Sequence, residues 1–181
     1  MDDDSALLKA AQDQDPEALA AVFDRYAPAL YKYALRLCRD PAQADDVVGD
    51  VFAQLVNQLG RGKGPRDNLR SYLYQIAYHR VVDKARQDRR TAELDDSTPS
   101  GSDSAPSTQE DHEVLQSLEV ALQRDLNEDQ RNIVLLRFVE DFSLQETAEI
   151  TGKRVGNVKV IQSRAVAILR RIVSVQFEDK P

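Results

Sequence analysis

The chain of 181 residues has one cysteine, Cys38. A single thiol excludes an internal disulfide framework and any CxxC metal knuckle, and it suits a reducing compartment. Glycine is scarce at 7 residues, and no GxGxxG or GxxxxGKS/T string occurs. The backbone loops that cradle nucleotide phosphates are therefore missing. No apolar run approaches the ~18 residues of a membrane span. The first residues, Met1-Asp2-Asp3-Asp4, are acidic where a secretory leader would be basic. The expectation is a cytoplasmic protein with no membrane insertion and no cofactor. Positive charge is also in deficit, with 24 Lys+Arg against 31 Asp+Glu and a net charge of -7. As a total, this argues against nucleic acid as a partner, because such partners require a basic footprint.

Counted by segment, the charge reads differently. Residues 1–60 hold 5 basic and 11 acidic side chains, a net of -6. Residues 61–90 hold 9 basic and 3 acidic, a net of +6. Residues 91–129 hold 1 basic and 11 acidic, a net of -10, and residues 130–181 hold 9 basic and 6 acidic, a net of +3. The acidic total hides two basic blocks separated by an acidic one, and such asymmetry bears on partners where the overall pI does not.

The pattern is helical throughout. Ser5–Gln14 reads as a short helix capped by Ser5. Asp15-Pro16 and Asp40-Pro41 each pair a capping aspartate with a proline at the first helical position. After the first of them, Leu19, Val22, Phe23, Tyr26, Leu30, Tyr33, Ala34 and Leu37 recur at three- and four-residue steps, the mark of one buried face. Pro28 falls inside that helix and is expected to kink or divide it. Ala44, Val47, Val48, Val51, Phe52, Leu55, Val56 and Leu59 form the next stripe. Gly60–Asn68, GRGKGPRDN, is a loop. A long helix follows to about Arg89, with Arg80 and Asp83 on its core face and expected to pair with each other. Residues 91–112 are rich in Ser, Asp, Pro and Thr and read as a flexible acidic linker. The fold class is thus all-α, two small helical domains, 1–90 and 113–181, joined by that linker.

In the second domain, Glu113–Asp125 reads as a helix, and Asn127/Gln130 and Ser143/Glu146 have capping-box spacing. Ser143–Arg171 then has the form of a helix-turn-helix: a capped eight-residue helix, Gly152 to end it, and a second amphipathic helix. Ala148 is small where the helices would cross. Val155, Val158, Ile161, Ala165 and Ile168 share the inner side. Gly156, Lys159, Val160, Ser163 and Arg170 share the outer side, with Arg154 and Asn157 in the first turn, a set that suits a DNA groove. Lys153 and Arg154 oppose the macrodipole at that helix's start, so a phosphate role is expected for them.

These blocks resemble, in order, the bacterial sigma factors of the extracytoplasmic-function type within the sigma-70 family. FDRYAPALYKYALRLCRDPAQADDVVGDVFAQLVNQL resembles their regions 2.1 and 2.2, LRSYLYQIAYHRVVDKARQDRR their regions 2.3 and 2.4, and DLNEDQRNIVLLRFVEDFSLQETAEITGKRVGNVKVIQSRAVAILRR their region 4. The resemblance implies a promoter-specific initiation subunit without catalytic chemistry. Its implied partners are core RNA polymerase, through the β′ clamp helices and the β flap, promoter DNA, and an anti-sigma factor. Asp45, Asp46, Gly49, Asp50 and Phe52 lie in the implied polymerase-docking segment, with Gly49 standing where the family has glutamine. Arg61, Lys63, Arg66, Asn68, Arg70, Tyr74, Tyr78, His79, Arg86 and Arg90 form the implied -10 surface. Opening a promoter there needs cations for phosphates and aromatic faces for bases. Tyr72 stands for the family's tryptophan and by its face belongs to the core, whereas Tyr74 and Tyr78 are expected to stack. Lys153, Arg154, Gly156, Asn157, Lys159, Val160, Ser163 and Arg164 form the implied -35 reader.

Two other classes compete. A helix-turn-helix regulator of duplex DNA would explain the second domain but leave the first without a role. A helical enzyme has no nucleophile–base pair behind it. The aspartates Asp45, Asp46 and Asp50 are not expected to make a metal site, because at i, i+1 and i+5 they do not converge on one face and no histidine is near. The linker's reach, roughly 75 Å when stretched, exceeds the roughly 50 Å between promoter elements one and a half turns apart. Its acidity suits a positively charged channel. Neutralising the linker acids is expected to lower both abortive and full-length transcript yields, and unchanged yields of both would refute that role.

Overall fold

The structure is a computed structural model that describes residues 2–92, 122 and 124–178, with side chains described for 4–87, 122, 124–172 and 174. Among the described residues all regular structure is helical: α1 (Asp2–Gln12), α2 (Pro16–Cys38), α3 (Pro41–Gly60), α4 (Leu69–Ala92), α5 (Glu128–Val134) continuing as a π-helical turn (Leu135–Val139), α6 (Leu144–Thr151) and α7 (Val155–Glu178). The chain divides into two compact units, Met1–Ser102 and Asp103–Pro181. Apart from Thr91 and Ala92, which extend α4, the expected linker lies outside the described residues, as does most of the expected helix Glu113–Asp125.

In the first unit the aspartate–proline signals act as read. Asp15 accepts a hydrogen bond from Glu17 N at 3.1 Å, and Asp40 accepts from Ala42 N and Gln43 N at 2.8 and 3.1 Å. Two expectations are corrected. Helix α1 starts at Asp2 and not at Ser5, and Asp4 in its first turn places negative charge at the positive end of the helix dipole. Of the expected kink or division at Pro28, the division does not occur: helix α2 runs on to Cys38. Pro28 lacks an N–H, but it and Asp24, whose carbonyl loses its helical partner, are both exposed to solvent, which lowers the cost of the missing bond.

Helix α2 packs on α1, α3 and α4, and α3 packs on α4. The core contains Val22, Leu30 and Tyr33 of α2, Val47, Val51 and Leu55 of α3, and Leu69, Leu73 and Tyr74 of α4. The rings of Tyr33 and Tyr74 stand 5.3 Å apart in a tilted pair, a geometry worth about 0.5–1.5 kcal/mol beyond burial. Not every apolar residue of the periodic stripes is inside. Phe23 and Val56 are 46% and 50% exposed, and Phe23 meets the half-buried Phe52 at 4.7 Å.

In the second unit both capping boxes are complete. Asn127 and Gln130 exchange bonds of 2.9 and 3.0 Å, and Ser143 and Glu146 exchange bonds of 3.1 and 2.8 Å. Gly152 ends α6 at φ 65°, a left-handed conformation that costs an L-residue with a side chain ~1–2 kcal/mol. Ile133, Ala148 and Val158 form one buried cluster, and Leu126, Val134 and Ala165 another. The π-helical turn widens the end of α5, keeping Leu135 and Leu136 inside while Phe138 and Val139 face out.

Tyr26 ties α1 down. Its hydroxyl donates to Asp4 at 2.9 Å, and Arg25 pairs with the same carboxylate at 3.0 Å. Burial, then the hydrogen bond to Asp4 and the charge of Asp4, push the phenol pKa up to about 12, against smaller opposing effects of Arg25 and Arg70. A folded-state pKa above the unfolded value means a contribution fully present below pH 10 and lost as pH rises toward 12. Wild type is therefore expected to lose more stability than Tyr26→Phe between pH 9.5 and 11.5, as read by urea unfolding. Parallel pH profiles would contradict this.

Candidate nucleic-acid interface

The loop after α3 is held at both ends. Gly62 sits at φ 65°, which favours glycine, and a Cβ on Gly64 would meet the Leu59 side chain and force it to shift. Gln12 of α1 donates to Pro65 O at 2.8 Å. Asn68 accepts from Ser71 N at 3.0 Å and so caps α4. Its expected DNA role meets a local structural one, announced in the sequence only by an asparagine at the end of a loop. Arg61, Lys63 and Arg66 are exposed on the loop. Arg70, half-buried, lies over the Tyr74 ring at 5.5 Å.

The aromatic expectation is corrected. Tyr74 and Tyr78 are 0% and 5% exposed, so neither ring is free to stack on a base. The reason is the breadth of the α4 face held by α2 and α3, which takes in Tyr74 against Tyr33 as well as the Leu69–Leu73–Ile76 stripe. Tyr72 is the half-exposed tyrosine of this stretch, and its partial burial raises the phenol pKa. Beyond it, His79 and Arg86 are exposed. His79 meets Tyr78 edge-on at 5.4 Å, and Arg86 reaches Asp83 at 3.9 Å. Arg90's side chain lies outside the described residues.

A second correction concerns Arg80 and Asp83. Both are exposed and do not form the expected buried pair. Arg80 turns to α3, reaching Asp50 at 3.6 Å and Gln54 at 3.3 Å. One turn on, Lys84 reaches Asp46 at 3.3 Å. The acidic row of α3 is therefore laced to α4. Asp45, Asp46, Gly49 and Asp50 are all exposed, and nothing lies within 4 Å of the Cβ position of Gly49. Beside them the partly exposed Phe52, Phe23 and Val56 supply apolar surface. That surface was read from the periodicity as core. A stripe wider than one helical face was the available signal.

On α7 the inner and outer sides separate as read. Val158 and Ala165 are buried, with Val155, Ile161 and Ile168 packed partly against the core. Gly156, Asn157, Lys159, Ser163, Arg164 and Arg170 are exposed, as is Val160 at 48%. Arg154 is exposed, but Lys153 is not a free cation. Its Nζ lies 2.9 Å from Asp129 Oδ2. Arg137 is a residue that sequence reasoning missed, since nothing local connects it to α7. Its Nε donates to Gln162 Oε1 at 3.1 Å, and its Nη1 donates to the Phe142 carbonyl. Among the described residues no group of three or more His, Cys, Asp or Glu could hold a metal ion, and no helix is long and apolar enough to cross a membrane.

From this geometry Tyr72→Ala is expected to weaken binding of a single-stranded -10 oligonucleotide by the polymerase-bound chain by about 1–3 kcal/mol, the usual stacking contribution, while Tyr74→Phe leaves it unchanged. Equal affinities for wild type and Tyr72→Ala in fluorescence anisotropy would remove Tyr72 from the interface.

Comparison with known proteins follows the same division. Sigma-70 region 2 matches residues 22–91, and Sigma-70 region 4 matches residues 124–171. The chain is 29% identical over 180 residues to the ECF RNA polymerase sigma factor BldN of Streptomyces coelicolor, covering 95% of this chain and 68% of that one. It is 26% identical over 171 residues to the ECF RNA polymerase sigma factor SigX of Bacillus subtilis, covering 90% and 87%. Its fold is similar to that of the sigma factor RpoE, solved in complex with the anti-sigma factor NepR from Bartonella quintana. That match has a TM-score of 0.73 and 25% identity, and covers 89% of this chain and 98% of that one. With both regions present in order on helices that carry the described surfaces, the chain belongs to the sigma-70 family of RNA polymerase sigma factors, in its extracytoplasmic-function group.

Proposed function

We propose that the chain binds core RNA polymerase through α3, engages and opens the -10 element with the loop 61–68 and the outer edge of α4, and reads the -35 element with α7. A sigma factor is an initiation subunit and not an enzyme. The observation that carries the reading is the outer face of α7. Apart from Val160 it is small, polar and basic, and it is exposed on a chain whose first unit carries an exposed acidic and apolar row. A duplex-binding regulator has no use for that row. Small residues such as Gly156 and Ser163 let the backbone approach a major groove, while Asn157, Lys159 and Arg154 offer donors to base edges and phosphates.

The docking partner is the β′ clamp, whose basic groups would meet Asp45, Asp46 and Asp50 while apolar groups cover Phe23, Phe52 and Val56. Region 4 would meet the β flap. An anti-sigma factor competing for the same apolar and acidic row would hold the chain inactive, and one similar protein was solved in complex with an anti-sigma factor. This work takes place in the cytoplasm, where polymerase resides. With a net charge of -7, the free chain would bind DNA weakly, so promoter reading would depend on polymerase.

Purified chain mixed with core polymerase and a randomised promoter library is expected to yield transcripts from a defined subset of templates, with none from core enzyme alone. Specific duplex binding by the chain without polymerase association would instead favour the regulator.

A further inference from the structure

The start of α7 poses a problem that the phosphate reading does not solve. Lys153 sits where the helix dipole disfavours a cation, and no side-chain cap precedes the helix. Unlike Arg154, Lys159 and Arg164, it is largely buried, at 24% side-chain exposure, and its Nζ is 2.9 Å from Asp129 Oδ2. Asp129 lies in the first turn of α5, where the backbone N–H groups favour its negative charge. About two turns farther along α7, Gln162 accepts from Arg137 Nε at 3.1 Å, and the same guanidinium donates to the Phe142 carbonyl just before Ser143 caps α6. One contact precedes Gly156 and the other falls at Gln162, beside Ser163 on the exposed reading face, and neither Asp129 nor Arg137 lies on α7.

We propose that Lys153 and Arg137 are positioning residues for -35 reading. Lys153 latches the start of α7 to α5, and Arg137 latches the middle of α7 to the turn that begins α6, so that base-reading side chains meet the groove in one orientation. The proposal rests on the reading of α7 as the -35 helix. The apolar contacts of α7, made by Val158 and Ala165 with Val155, Ile161 and Ile168 beside them, are non-directional and by themselves leave its fine orientation some freedom. Directional polar contacts remove that freedom, and recognition groups must be held within about 0.5 Å of their working geometry.

The sign of one substitution separates a latch from a phosphate contact. If Lys153 contacts DNA, Asp129 only competes with it, and Asp129→Asn should tighten binding. If Lys153 is a latch, Asp129→Asn should weaken specific binding just as Lys153→Met does, by roughly three- to fivefold for a half-exposed pair, despite removing a negative charge. The probes are the -35 duplex recovered from a randomised library by wild-type holoenzyme and a random-sequence 30-bp duplex, both bound by holoenzyme built from the full chain.

The expected result is loss of specific affinity in Asp129→Asn, Lys153→Met and Arg137→Met, with the salt slope on random duplex unchanged. The exchanged pair Asp129→Lys with Lys153→Asp should restore specific affinity, which a misfolded domain would not. Lys159→Ala reports on the reading itself, through a fall in salt slope of about 0.9. Tighter or unchanged binding in Asp129→Asn, or a reduced slope in Lys153→Met, would overturn the latch. No effect of Lys159→Ala on either probe would overturn the reading of α7, and the latch with it.

Discussion

The first domain depends on how much of α4 is buried. A surface helix usually hides one stripe. Helix α4 lies against both α2 and α3 and hides Leu69, Leu73, Tyr74, Ile76, Ala77, Tyr78 and Val81. Among the described residues its exposed side carries His79, Arg80, Asp83, Arg86 and Gln87, with Tyr72 partly exposed and the loop cations before them. Among the described residues helix α7 packs against α5, α6 and Leu122 and Leu126 before α5, and keeps a broad outer face. The two proposed DNA surfaces therefore differ in kind. One is an edge fed by a glycine-fixed loop, suited to an unstacked strand, and the other is a helical face suited to a groove.

Charge is arranged with the same economy. Of the basic residues on α4, Arg80 and Lys84 are turned toward Asp50 and Asp46 on α3. Exposed pairs of this kind are worth about 0–1 kcal/mol, so they hold the two helices in register without locking either surface against a stronger partner. The local positive block that the sequence suggested is consequently smaller at the proposed DNA edge than a count of lysines and arginines implies. In the second domain Lys153 is withdrawn in the same way by Asp129.

Much of this was legible in the sequence because it was written in local rules. Asp15-Pro16, Asp40-Pro41, Asn127/Gln130, Ser143/Glu146 and Gly152 each specify a helix end through backbone chemistry that needs no tertiary partner. The inner and outer faces of α7 followed from its period. What failed was set by neighbours. A projection at 100° per residue assigns Tyr74 to an outer face, yet a third helix lies there. The same projection places Arg80 on a core face, yet a long side chain at the rim of a face can turn to an acid on the next helix. Pro28 looked like a break because its exposed surroundings, which lower the cost of the lost bond, are a property of packing. Arg137 and Gln162, 25 positions apart, meet only once the domain is folded.

The central claim is that one chain joins polymerase to a promoter and opens it. Permanganate reactivity of thymines upstream of the start site measures that opening directly. On a template selected by the holoenzyme, reactive thymines should appear at the -10 element only when chain and core polymerase are both present, and should fade when Tyr72 is replaced by alanine. Equal reactivity with core enzyme alone, or a duplex held by the holoenzyme with no reactive thymine, would contradict the account.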